Sequence, residues 1–175
     1  MNLKDERVTV PLMKTIEMLL SSDYLFEADL LEELYQIHAI TVKECDKSKN
    51  IVKLMSSAGV FAGMLIQTDP VLLQKSVRSL LFLLYHSFPR VRKLTAEKLY
   101  TALLTMDDAS VVIPKGEEDY DQVIETLSET NWDGAQLKEL NLGKERLYSF
   151  FGMVPAPKVA AATAPKNGDV EMIQT

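Results

Sequence analysis

From Leu80 to Tyr85 the chain reads LLFLLY, apolar on every side of a helix. Such a helix is stable in water only where other elements cover it all round. After a short turn at His86-Ser87, the stretch Phe88 to Leu104 (FPRVRKLTAEKLYTALL) places Val91, Leu94, Ala96, Leu99 and Leu103 at the three- and four-residue steps of one helical face. Pro89 suits the opening turn of this helix, because its ring presets φ and its missing N–H has no intrahelical partner there. Two helices joined by a tight turn therefore face each other, and the first of them, Val71 to Tyr85, is expected at the centre of the fold.

The same periodicity continues on both sides. Val8 to Ser21 reads as a first helix with Leu12, Ile16, Leu19 and Leu20 buried and Pro11 in its opening turn. A second, from about Glu27 to Asp46, buries Leu30, Leu31, Leu34, Ile37 and Cys45. A third, from about Lys49 to Gln67, carries the small residues Ala58, Gly59, Ala62 and Gly63, which let a neighbouring helix approach closely. Asp69-Pro70 starts the fourth helix as a cap followed by a first-turn proline. Met106 to Gly116 has low helix propensity and reads as an exposed loop whose trio Val111-Val112-Ile113 packs back on the core. Glu117 to Ser128 restarts a helix that buries Val123, Ile124 and Leu127. Asp133 is then expected to cap a last helix ending at Phe151, with Trp132 packed on Leu137 and Gly152 as the stop.

Composition agrees with one domain. The chain has 175 residues, 47% hydrophobic and 25% charged, enough to bury a single substantial core. A net charge of −6 argues against nucleic acid as a partner, since phosphate binding wants a basic face. One cysteine, Cys45, permits no internal disulfide, which fits a reducing, cytoplasmic setting. The weakly polar run Leu54 to Thr68 is shorter than the roughly 20 residues of a membrane span. Residues 1–152 are expected to form one helical domain, and 153–175, rich in proline and alanine, a disordered tail in which Val170 to Ile173 is the only apolar hook.

Pro89, Val91-Arg92, Ala96, Leu99 and Leu103 resemble the second helix of a HEAT repeat, with His86 standing where that pattern usually has an aspartate. The expected fold is all-α, about seven helices in antiparallel pairs stacked as a HEAT/armadillo-like α-solenoid segment. Three longer blocks, KDERVTVPLMKTIEMLL, FPRVRKLTAEKLYTALLT and LSETNWDGAQLKELNLGKERLYSFFGM, resemble the C-terminal end of the tubulin-folding cofactor D family in order and spacing. None is a catalytic signature. The resemblance implies a terminal fragment or short relative of a cytosolic, cytoskeleton-associated machine. That machine binds β-tubulin, works with sister tubulin-folding cofactors in assembling the α/β heterodimer, promotes GTP hydrolysis by tubulin, and associates with a small GTPase. A generic HEAT-like adaptor for another protein partner is the alternative.

No constellation in the sequence carries chemistry of its own. His38 and His86 lack an acid and nucleophile in triad context, and two histidines with one distant cysteine make no metal set. Gly59 and Gly63 fall inside a helix, so no phosphate loop exists. No catalytic residue, cofactor or metal is therefore expected, and any effect on GTP hydrolysis would arise only within a larger assembly. The charges, however, are uneven. Lys75, Arg78, Arg90, Arg92, Lys93 and Lys98 face one acid, Glu97, between Leu72 and Leu104, whereas Asp107 to Asp133 holds nine acids and only Lys115. Arg78, Arg90, Lys93 and Lys98 are the candidate partner-binding residues, suited to an acidic protein surface. Arg92 is set aside, because the HEAT arginine at that place is usually structural. Pairing of the basic and acidic stretches with each other is the competing reading.

Overall fold

The computed structural model describes residues 5–22, 30–114, 116–134 and 136–154, with Leu137 as backbone alone. Among them are seven α-helices: α1 (Glu6–Leu20), α2 (Leu31–Cys45), α3 (Ile51–Gly63), α4 (Pro70–Leu84), α5 (Pro89–Thr105), α6 (Glu117–Glu129) and α7 (Leu137–Phe150). No strand occurs among the described residues. The expected tail from residue 155 onward, and the expected start of α2 at Glu27, lie outside the described residues.

Local chemistry explains most of the boundaries. Asp69 accepts from the Leu72 N–H at 2.8 Å and Pro70 follows it, opening α4. The Asn50 side chain does the same for Lys53 and opens α3. Gly152 adopts φ +63° after α7, the left-handed stop that glycine takes without strain. Two expectations fail. α1 begins at Glu6, capped by the Asp5 side chain, so Pro11 lies beyond the first turn on an exposed part of the helix. α7 begins at Leu137 after Gln136, with no side-chain cap, so Asp133 does not cap it.

The helices stack in two layers. α2 runs antiparallel to α3, as the Lys53–Glu44 ion pair (3.0 Å) and the His38–Phe61 ring contact (5.2 Å) show. α1 lies parallel to α3, with Met13 reaching Ser57 and Leu20 reaching Gly63, and α5 packs on the other side of α3. α2 and α4 form the second layer. The last pair is exchanged relative to a regular solenoid: α6 packs on α5 and α7 on α4. The connection from Met106 to Gly116 permits this. Its 3-10 turn at Ala109–Val111 tucks in Val112 and Ile113, both buried, while Val111 packs partly covered against the core.

The centre of the fold is α3, not α4. From Ser56 to Gly63 every residue of α3 is buried, touching α1, α2, α4 and α5. Ser56, Ser57, Ala58, Gly59, Ala62 and Gly63 are small enough for neighbours to close in on every side, as the glycine spacing suggests. A Cβ on Gly63 would lie 2.9 Å from the Leu20 Cβ. α4 buries Leu80, Leu81, Leu83 and Leu84 but leaves Phe82 55% exposed. The stripe of α1 is also narrower than its leucines suggest: Met13 and Leu20 are buried, whereas Leu12 and Leu19 face out.

Candidate partner-binding surface

The four candidate cations are not one patch. Lys93 and Arg90 lie on the outward face of α5, where both are exposed. Lys93 Nζ reaches Asp133 Oδ2 at 3.1 Å, and this hydrogen bond raises the lysine pKa above its usual value. Here the basic and acidic stretches do pair, across a cleft of about 430 Å³ between α5 and the end of α6. Lys98 takes a different partner, Glu17 Oε1 at 2.7 Å, on α1. No local spacing in the sequence announces that pair, whose members are 81 residues apart. Arg78 sits in the other layer, on the exposed face of α4, and no salt bridge of its own is found among the described residues. Arg90 is exposed and likewise makes no salt bridge there.

Arg92 is a structural clamp. It is 6% exposed, and its guanidinium donates from Nε to the Trp132 carbonyl at 2.8 Å, from Nη1 to the carbonyls of His86 and Ser87 at 3.1 Å, and from Nη2 to the Gly134 carbonyl at 3.1 Å. One side chain thus ties the α4–α5 turn to the α6–α7 connection. Burial lowers its pKa, with Asp133 acting in the opposite sense. Where a repeat aspartate would accept, the His86 backbone carbonyl does so instead. Trp132 is buried beneath the clamp and donates Nε1–H to the Leu127 carbonyl. Its expected partner, the side chain of Leu137, lies outside the described residues.

His38 and Cys45 are packed rather than poised for chemistry. Ser79 Oγ donates to the Lys75 carbonyl, so His38 Nε2 donates to Ser79 Oγ at 3.1 Å and carries the ring proton. Burial pushes the His38 pKa down, and burial also pushes the Cys45 thiol up. No group of three or more His, Cys, Asp or Glu residues that could hold a metal occurs among the described residues. The sign of the pH effect follows from His38. As pH falls through the ordinary histidine value of 6.5, the unfolded chain gains a proton that the folded imidazole resists. Stability is full above that pH and declines below it, and His86, also depressed chiefly by burial, adds to the decline. The Asp69 carboxyl, held down first by the Tyr35 hydrogen bond, stabilises the fold above its ordinary 3.8 and loses that contribution as pH falls below it. We expect His38→Gln to lose less melting temperature than the parent between about pH 7 and pH 5; identical slopes would remove His38 from the effect.

Seven stacked helices with an outward face on each layer define an all-α, solenoid-like segment. Residues 1–53, which span α1, α2 and the start of α3, match the family model described as tubulin folding cofactor D C terminal, so this stretch is similar to the C-terminal region of that family. The other two blocks of the resemblance lie beyond the matched residues. No solved structure matches the chain. No helix among the described residues is long and apolar enough to cross a membrane.

Proposed function

We propose that this chain is a protein-holding segment of a tubulin-folding cofactor. It binds β-tubulin and sister cofactors during assembly of the α/β heterodimer in the cytoplasm, supports GTP hydrolysis by tubulin without catalysing it, and associates with a small GTPase through the same assembly. The match of residues 1–53 to the cofactor D C-terminal family carries this reading. The exposed cations of α5 support it, because charged rims steer an acidic partner and set its orientation. Of the four candidates, Arg90 and Arg78 have no salt bridge among the described residues to give up, whereas Lys93 and Lys98 would exchange Asp133 and Glu17 for a partner's acids.

The double substitution Arg90→Glu with Lys93→Glu should weaken tubulin binding about tenfold, chiefly through slower association, with the helical signal retained. Lys93→Gln alone controls for the lost Asp133 contact. Binding that is unchanged by the double substitution would remove this face of α5 from the interaction. A generic adaptor would fail to retain tubulin at all.

A further inference from the structure

The outer face of α4 has features that neither the family match nor the α5 cations explain. Val71, Lys75, Arg78 and Phe82 recur at steps of four, three and four residues, so they form one ridge about 16 Å long. All four are exposed, Val71 at 53% and Phe82 at 55%. α2 flanks the ridge on one side, and α7 with the 111–114 segment flanks it on the other, so α4 is the floor of a trough. A cavity of about 350 Å³ opens beside Phe82, walled by Val42, Phe61, Leu83 and Tyr148. A second, of about 420 Å³, opens beside Val71 and is walled by Val112, Pro114 and Phe151. Arg78 lines both cavities and stands between them.

The charges in the trough are ordered as well. Lys75 lies over the Tyr35 ring at 4.6 Å, and Arg78 makes no salt bridge among the described residues. The carboxylates near them lie at the ends: Asp46 lines the first cavity, and Asp69 is already engaged by Tyr35 and the Leu72 N–H. Arg78 shared by the two cavities, Lys75 on the wall of the second, and apolar walls beside Phe82 and Val71 describe the complement of one ligand type.

We infer that this trough docks a peptide segment of a protein partner that carries apolar anchors about three helical turns apart with carboxylates between them. The anchors enter the sockets beside Phe82 and Val71, and the carboxylates meet Arg78 and Lys75. Exposed apolar side chains framed by charge are the usual mark of such a site, and a helix laid in a groove uses this anchor spacing. The inference goes beyond the tubulin reading and does not depend on which protein supplies the segment.

The test uses a fluorescein-labelled helical peptide with a leucine at each end of three turns and glutamates between, read by anisotropy against the full chain. We expect saturable binding that weakens with salt, and a loss of about tenfold or more in Arg78→Glu and in Phe82→Ser. Both positions are exposed, so thermal melts should be nearly unchanged. Amide-exchange protection should rise along α4 and its flanks in α2 and α7. Absence of binding at millimolar peptide would overturn the inference. So would binding by the two variants as tight as that of the parent chain, or equal binding of a peptide with lysines in place of the glutamates.

Discussion

Replacing Arg92 with alanine is expected to lower the melting temperature by on the order of 10 °C, corresponding to about 3 kcal/mol or more. The reason is the number of acceptors that one side chain serves. The carbonyls of His86, Ser87, Trp132 and Gly134 all receive their bonds from this guanidinium, and the contact to Trp132 is buried. Truncation leaves the buried Trp132 carbonyl without its donor and cuts the part-buried carbonyls of His86, Ser87 and Gly134 loose from one another. Lysine should recover little, since a single ammonium cannot reproduce a planar fork reaching carbonyls on two separate connections. Amide exchange should accelerate first at residues 85–88 and 130–134, the two segments that the clamp joins. A loss under about 1 kcal/mol would mean that the clamp is ornamental.

Gly63→Leu is expected to detach α1 from the stack. The Leu20 Cβ already lies 2.9 Å from where a Cβ on Gly63 would be, and that carbon is fixed to the α1 backbone and cannot swing aside. Overpacking of this kind costs about 1–3 kcal/mol, and here the easiest relief is movement of α1 as a body. Protection of residues 6–20 against exchange should collapse while α4 and α5 keep theirs. Gly59→Ala makes the contrast. The three atoms nearest its new Cβ all belong to the Glu17 carboxyl, the far end of a flexible side chain. The glutamate can rotate away and give up Lys98, a half-exposed pair worth under about 1 kcal/mol, while the helix gains about as much from alanine. A near-neutral Gly59→Ala beside a strongly destabilised Gly63→Leu is therefore the expected pattern, and equal effects would contradict the packing described for α1 on α3.

The sequence announced features that are settled locally. Asp69-Pro70, Pro89 and Gly152 mark helix ends within a residue or two because caps and prolines act through their own backbone groups. The small residues of α3 announced close approach, and the structure adds that the approach comes from every side, which makes α3 the centre. What stayed hidden depends on distant partners. Asp133 has the chemistry of a cap, but it lies three residues ahead of Gln136 and is engaged by Lys93. Leu12 has the spacing of a buried stripe, yet no described helix covers that side of α1. The exchange of α6 and α7 follows from how the 106–116 connection folds, and periodicity within a helix carries no record of which neighbour it meets.

The candidate cations show the same division. Clustering in sequence put Arg78, Arg90, Lys93 and Lys98 together, whereas helix geometry separates Arg78 from the other three and gives Lys93 and Lys98 internal partners. Net charge along a segment reports composition, and a surface is made by whichever helices lie side by side.

Sedimentation velocity of the purified chain mixed with purified α/β-tubulin, beside an unrelated helical-repeat protein of similar charge, addresses the proposed role most directly. A faster species containing both proteins should form with the chain alone and weaken as salt is raised. Two boundaries that stay independent at roughly 50 μM of each protein, as for the control, would contradict a tubulin-holding role.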